Sequence, residues 1–152
     1  MLGLKIAAVF IMGAAIGILY RIPRSVLLYA SFNGTIAWLV IYFLMQAGTN
    51  VVAASFVSAL IIGALAEMLA RALRKPATVF IIPGFIPLVP GREAFTTMQL
   101  LVEGRQLDAL SMGAQTLFTA GAIAFGIFVS ITAYRLMVTY KLKSGIQHVD
   151  ES

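Results

Sequence analysis

The chain has 152 residues, 61% of them hydrophobic and only 11% charged, with a mean hydropathy of +0.96. A soluble domain carries about a quarter charged residues because its surface faces water, so this composition excludes a water-soluble globule, a disordered chain and a disulfide-built secreted mini-protein. Cysteine is absent and the single histidine, His148, stands in a polar tail, while the net charge of +5 reads as membrane topology rather than as a nucleic-acid footprint.

An apolar stretch needs roughly 20 residues to cross a bilayer as a helix. Residues 2–20 meet that length with one Lys near the start. They form a retained span rather than a cleaved signal, since two Arg and no polar mature domain follow. The charged turn Arg21-Ile22-Pro23-Arg24 separates this span from a charge-free run that reaches Ala66, about twice the length of one crossing. The run divides at Gln46-Ala47-Gly48-Thr49-Asn50, a turn composition, and gives spans at 26–45 and 51–70. Arg71, Arg74, Lys75 and Pro76 then interrupt the chain, and residues 109–134 make the last span.

Residues 77–102 are apolar enough to enter the bilayer, yet they contain Pro83, Gly84, Pro87, Pro90 and Gly91. Each proline removes an amide donor and clashes with a preceding carbonyl, so this fourth span is predicted to be broken. The expected fold is therefore all-α: a polytopic transmembrane helix bundle of about five spans over residues 1–143, with a polar tail at 144–152. A four-crossing arrangement, in which 80–89 is re-entrant, stays open.

The basic residues fix an expected orientation. Arg21, Arg24, Arg71, Arg74, Lys75, Arg135, Lys141 and Lys143 share one side, against Lys5, Arg92 and Arg105 on the other. The richer side is expected to be cytoplasmic. Five crossings then put the N-terminus outside and the C-terminus inside.

Irregular backbone at membrane depth is tolerated where protein or a water-filled cavity satisfies it, and transporters use broken helices of this kind to bind substrates and ions. A helix starting near Gly91 would offer free amides, with Arg92 beside them as a two-point carboxylate donor. The competing reading is a Pro-rich turn at the rim, with Arg92 reaching to the headgroups. Glu67 is the only acid inside an apolar span and is a candidate for carrying a coupled proton. Against that, Arg71 lies four residues on, in the favourable order for an ion pair, and the salt bridge is the favoured reading. Asn33, in the middle of the second span, is expected to tie helices together. Gly13, Gly17, Ala30, Gly34, Ser55, Ala59, Gly63, Ala122, Gly126 and Ser130 recur at helix-contact spacing and are expected to pack within the chain. No nucleotide-binding loop, zinc motif or nucleophile–base pair occurs, so neither an enzyme nor a cofactor is expected, and transport would run on an ion gradient.

At Lys75 to Gly91, KPATVFIIPGFIPLVPG, the chain resembles the threonine/serine exporter (ThrE) family. The likeness is to the family's C-terminal half, which also occurs as a small stand-alone subunit. Ile22-Pro23, the third-span ending GALAEMLARALRKP and the small-residue-rich last span support it. It covers nearly the whole chain, and the Pro/Gly string is its specific part. The resemblance implies a bacterial inner-membrane exporter built from two halves of about five spans, of which this chain is one. It therefore implies a second membrane subunit carrying the missing N-terminal half. It also implies a small carboxylate-bearing substrate (threonine, serine or a dicarboxylate such as succinate), proton-coupled export, and a substrate-binding role for Pro83, Gly84, Pro87, Pro90 and Gly91. A non-transporting membrane scaffold and a homo-oligomeric channel are the competing functions.

Overall fold

The computed structural model describes the backbone of residues 2–150; the side chains of Lys141, Lys143 and His148 lie outside the described residues, as do residues 151–152. Every regular element in it is helical. In chain order these are α1 (Leu2–Leu19), α2 (Arg24–Gln46), α3 (Val51–Ala72), α4 (Thr78–Phe85), a 3-10 turn (Ile86–Leu88), α5 (Gly91–Val102) and α6 (Gln106–Asp150). Helices α1, α2, α3 and α6 are each long and apolar enough to cross a membrane, and α4 with α5 makes a fifth candidate, bent by 47° at its break.

Four helices stop in the same way. After α1, α2, α3 and α5 the chain takes one left-handed residue: Arg21 (φ 55°), Gly48 (φ 82°), Arg74 (φ 51°) and Gly104 (φ 77°). The next amide then reaches five residues back, as in Ile22 N–H to the Gly17 carbonyl and Lys75 N–H to the Ala70 carbonyl, both 2.9 Å. This closing motif satisfies carbonyls that a helix end leaves free. Glycine adopts the left-handed conformation without strain, whereas Arg21 and Arg74 do so at a cost of roughly 1–2 kcal/mol each. Pro23 and Pro76 follow those two arginines and prevent the helices from continuing. At the other end of a turn, the Asn50 side chain accepts the Val52 amide at 2.9 Å and caps α3.

Lipid supplies no hydrophobic drive for helix association, so close backbone approach over small residues holds the bundle. A Cβ added at Gly63 would come within 2.7 Å of the Ser130 Cβ, and one at Gly126 within 2.8 Å of the Ala59 Cβ. This seam joins α3 to α6, and the Ser130 hydroxyl donates across it to the Leu60 carbonyl at 2.8 Å. Gly13 of α1 meets the Ser31 backbone of α2 in the same manner. The small residues on these faces serve packing within the chain.

Two apolar clusters mark the two ends of the bundle. One gathers Val26, Ala30, Ala66, Ala70 and Phe80, and so brings the α1–α2 and α3–α4 turns to one end. The other gathers Ala37, Ala59, Ile62, Leu88 and Ile123. Arg21, Arg24, Arg71, Arg74 and Lys75 therefore share an end. Helix α6 is longer than its expected span at 109–134. Its 45 residues would extend roughly 65–70 Å at 1.5 Å per residue, far beyond the ~30 Å hydrocarbon layer. Its first turns stand beside α5, which packs mainly on α6.

Glu67 corrects the expected pairing with Arg71. Its carboxylate accepts from Arg135 of α6, Nε to Oε1 3.1 Å, with the Glu67 side chain 7% exposed. Arg71 instead lies over the Tyr134 ring, 5.2 Å from its centre. The i,i+4 geometry permits the Glu67–Arg71 pair, but Glu67 is buried at the α3–α6 seam, where Arg135 of α6 reaches it.

Candidate functional site

The broken segment begins where Phe80 is fully buried against α2 and α3. Pro83 and Pro87 have no amide hydrogen, so the carbonyls four residues earlier lose their helical donors. Asn33 of α2 bridges the region: its side-chain amide donates to the Phe80 carbonyl at 3.2 Å and to the Ile62 carbonyl at 3.4 Å. Gly34 beside it lets α4 approach backbone to backbone, since a Cβ at Gly34 would lie 3.0 Å from the Pro83 carbonyl oxygen and 3.3 Å from the Gly84 Cα. Gly84 answers from the other side: a Cβ there would meet Asn33 Nδ2 at 3.1 Å and Ile62 Cγ2 at 3.3 Å. The first half of the break is thus a three-helix packing joint.

The second half has a different geometry. The Val89 amide bonds to the Ile86 carbonyl at 3.1 Å, and the Gly91 amide to the Val89 carbonyl at 2.8 Å. Pro90, at φ −75° and ψ 56°, makes that second contact a tight three-residue turn, from which α5 starts. Pro87, Leu88, Val89 and Pro90 then form one wall of a cleft of about 280 Å³. Trp38, Ile41, Tyr42 and Met45 of α2, Val51 and Ser55 of α3, Glu93 of α5, and Gln115 and Thr119 of α6 line the rest. The volume is just below the usual range for drug-sized ligands and suits a small metabolite.

The lining combines rings, hydroxyls and one charge. Trp38 and Tyr42, one turn apart on α2, stack with centres 5.3 Å apart, and the Lys5 ammonium of α1 sits 5.6 Å from the Tyr42 ring centre. The Thr119 hydroxyl is occupied by the Gln115 carbonyl at 2.9 Å. Ser55 is fully buried and its hydroxyl has no hydrogen-bond partner. Buried polar atoms are ordinarily bonded, and the Ser55 hydroxyl, closed off beneath the cleft wall, lacks the partner such a group normally has. Asn33 Oδ1 and the Ser58 hydroxyl, deeper in the bundle, are unpartnered as well. Among the lining residues Glu93 alone is charged. Among the described residues no group of three His, Cys, Asp or Glu side chains is placed to hold a metal ion.

The residues singled out from sequence separate into three places. Pro87 and Pro90 line the cleft. Pro83 and Gly84 are buried in the joint with α2. Gly91 has nothing within 4 Å of an added Cβ, and neither Gly84 nor Gly91 takes a positive φ. Arg92 is exposed and lies outside the cleft lining. Glu67 sits at the opposite end, beside Arg135. Sequence reasoning passed over Ser55 as a site residue, and over Glu93 and Gln115 altogether. One signal was available for Glu93: it is the first acid after the Pro/Gly string and falls in the first turn of the helix that follows.

Comparison with known proteins gives one family: the model described as threonine/serine exporter, ThrE, matches residues 5–133, from the first turn of α1 into the second half of α6. No solved structure matches the chain.

Proposed function

We propose that this chain, which belongs to the threonine/serine exporter family, is one half of a secondary exporter that binds its substrate in the cleft beside the Pro/Gly break. The observation that carries this reading is the cleft itself. A broken helix, an unpartnered buried hydroxyl and a charged side chain converge on one small cavity inside an otherwise apolar bundle. Broken helices in transporters serve the same end, with irregular backbone exposed only where it lines a cavity.

The charge distribution supports a cytoplasmic placement of the Arg21 and Arg74 turns in a bacterial inner membrane, with the N-terminus outside. The cleft then opens toward the outer side, since its α2 and α3 residues belong to the opposite end of those helices. Glu67 is our candidate for the coupled proton, because it is the buried acid of the bundle. Protonating it would remove the negative charge that Arg135 meets across the α3–α6 seam at the cytoplasmic end. A second membrane half is the proposed partner. An apolar groove of about 410 Å³ between α4 and α6, with Phe85, Ile123 and Ile127 on its walls, supports a surface open to another helix or to lipid.

The test uses two signals. Trp38 is the only tryptophan of the chain and lines the cleft, so entry of threonine, serine or succinate should change its fluorescence. Export of the same labelled compounds should require this chain together with the partner half. Robust gradient-coupled flux through liposomes holding this chain alone would point instead to a homo-oligomer.

A further inference from the structure

We propose that Glu93 reads the ammonium group of the substrate, so that the cleft takes a zwitterionic amino acid in preference to a dicarboxylate. The inference rests on the reading of the cleft as the transport site and names its substrate class. Glu93 is the one charged residue among those lining the cavity. Its carboxylate makes no ion pair or hydrogen bond with any described residue, although Arg92 is its neighbour in the chain. The Glu93 carboxylate is half-buried at the cavity, and a cation placed beside it gains a charge-assisted hydrogen bond that solvent screens only in part. Of the two stacked rings on the facing wall, Tyr42 already carries the Lys5 ammonium at 5.6 Å, which leaves the Trp38 indole to favour a substrate cation through its outer face.

The other end of an amino acid finds the opposite chemistry. In the first turn of α5 the Gly91 amide is taken by the Val89 carbonyl, which leaves the Arg92 and Glu93 amides without helical partners, and the Ser55 hydroxyl is buried and unpartnered. These are donors for a single carboxylate. A dicarboxylate would bring a second negative charge to the same small cavity as Glu93, and like charges at such range repel. An acid in the first turn of a helix also offsets the helix dipole whether or not a ligand binds. That role alone would give Glu93 no say in which ligand is held, and the experiment separates the two.

The chain contains no cysteine, so Val89→Cys places a single thiol on the half-exposed cleft wall. Its alkylation by N-ethylmaleimide is followed in membranes holding the full chain and the partner half. L-threonine, its des-amino analogue β-hydroxybutyrate and succinate are the protecting ligands, tested with Glu93 and with Glu93→Gln at matched abundance. We expect threonine to protect the thiol when Glu93 is present, with the half-protecting concentration rising roughly tenfold or more in Glu93→Gln. We expect β-hydroxybutyrate and succinate to protect poorly with Glu93, and the substitution to erase or reverse their disadvantage. Equal protection by threonine in both backgrounds, or protection by succinate as strong as by threonine with Glu93 intact, overturns the assignment while leaving the cleft as the site. Protection by none of the three compounds overturns the reading of the cleft itself.

Discussion

Helices α4 and α5 are the two halves of one broken segment, and they are built on opposite plans. In α4, Phe80, Pro83 and Gly84 are buried, and the backbone is held by the Asn33 amide and admitted by Gly34. In α5 no residue is buried, Gly91 faces open space, and the helix leans mainly on α6. The prolines thus mark a boundary between a part that anchors and a part that presents. A half-helix can hold its first turn toward a cavity only if the preceding half is fixed, since any slip of α4 would move Pro87, Pro90 and Glu93 together.

The sharpest way to break this contrast is to place the same large side chain on each half. Gly84→Leu would drive a branched side chain into Asn33 and Ile62, and overpacking of this kind costs about 1–3 kcal/mol or more. We expect loss of folded protein, read as lowered membrane abundance and a lower melting temperature in detergent. Gly91→Leu should leave both at wild-type values. Equal damage by the two would mean that α5 is as deeply packed as α4.

The next largest effect concerns what fixes α6 behind the cleft. Removing the Arg135 guanidinium leaves the buried Glu67 carboxylate without that partner. Arg135→Gln should therefore lower stability by about 1–3 kcal/mol. Arg71→Gln should cost less, because Arg71 rests on Tyr134 and makes no ion pair with Glu67. Thermal unfolding of the two variants side by side reads the difference, and a larger loss in Arg71→Gln would restore the local pair. Asn33→Leu comes next. It keeps the branched outline of Asn with more bulk and withdraws the donor shared by the Ile62 and Phe80 carbonyls, for a loss of about 1–2 kcal/mol from the hydrogen bonds alone. The same substitution should also disturb Trp38 fluorescence if α4 sets the cleft wall. The smallest effect is assigned to Arg92→Gln. An exposed arginine outside the lining should alter substrate affinity by no more than about twofold, and a tenfold loss in Trp38 titrations would bring Arg92 back into the site.

The place of the break was legible in the sequence because proline acts on its own backbone, wherever the chain later packs. The roles within the break were not. Pro83-Gly84 and Pro90-Gly91 are the same dipeptide, yet both residues of the first are buried against α2, whereas in the second Pro90 is buried and Gly91 stands exposed. Phe85-Ile86 after the first and Arg92-Glu93 after the second differ in polarity, but neither pair says which helix the preceding proline meets. Glu93 was passed over for a related reason: directly after Arg92 at the start of a helix it reads as a solvated charge, and only the approach of α2, α3 and α6 makes it a cleft residue.

By itself the sequence determined the all-helical membrane class, the turns at Arg21, Gly48 and Arg74, the uneven distribution of basic residues and the position of the interrupted span. These properties depend on hydropathy over about 20 residues and on the local demands of Pro and Gly, both of which are written along the chain. Only the tertiary structure decided that Glu67 pairs with Arg135, 68 positions away, rather than with Arg71 on the next turn. It also decided that Gly34 and Gly84 face each other and that Ser55 is left with an unpartnered hydroxyl beneath the wall of a cavity. Those outcomes depend on how helices cross. A crossing is set by the summed fit of small residues along whole faces, which no single position in the sequence records.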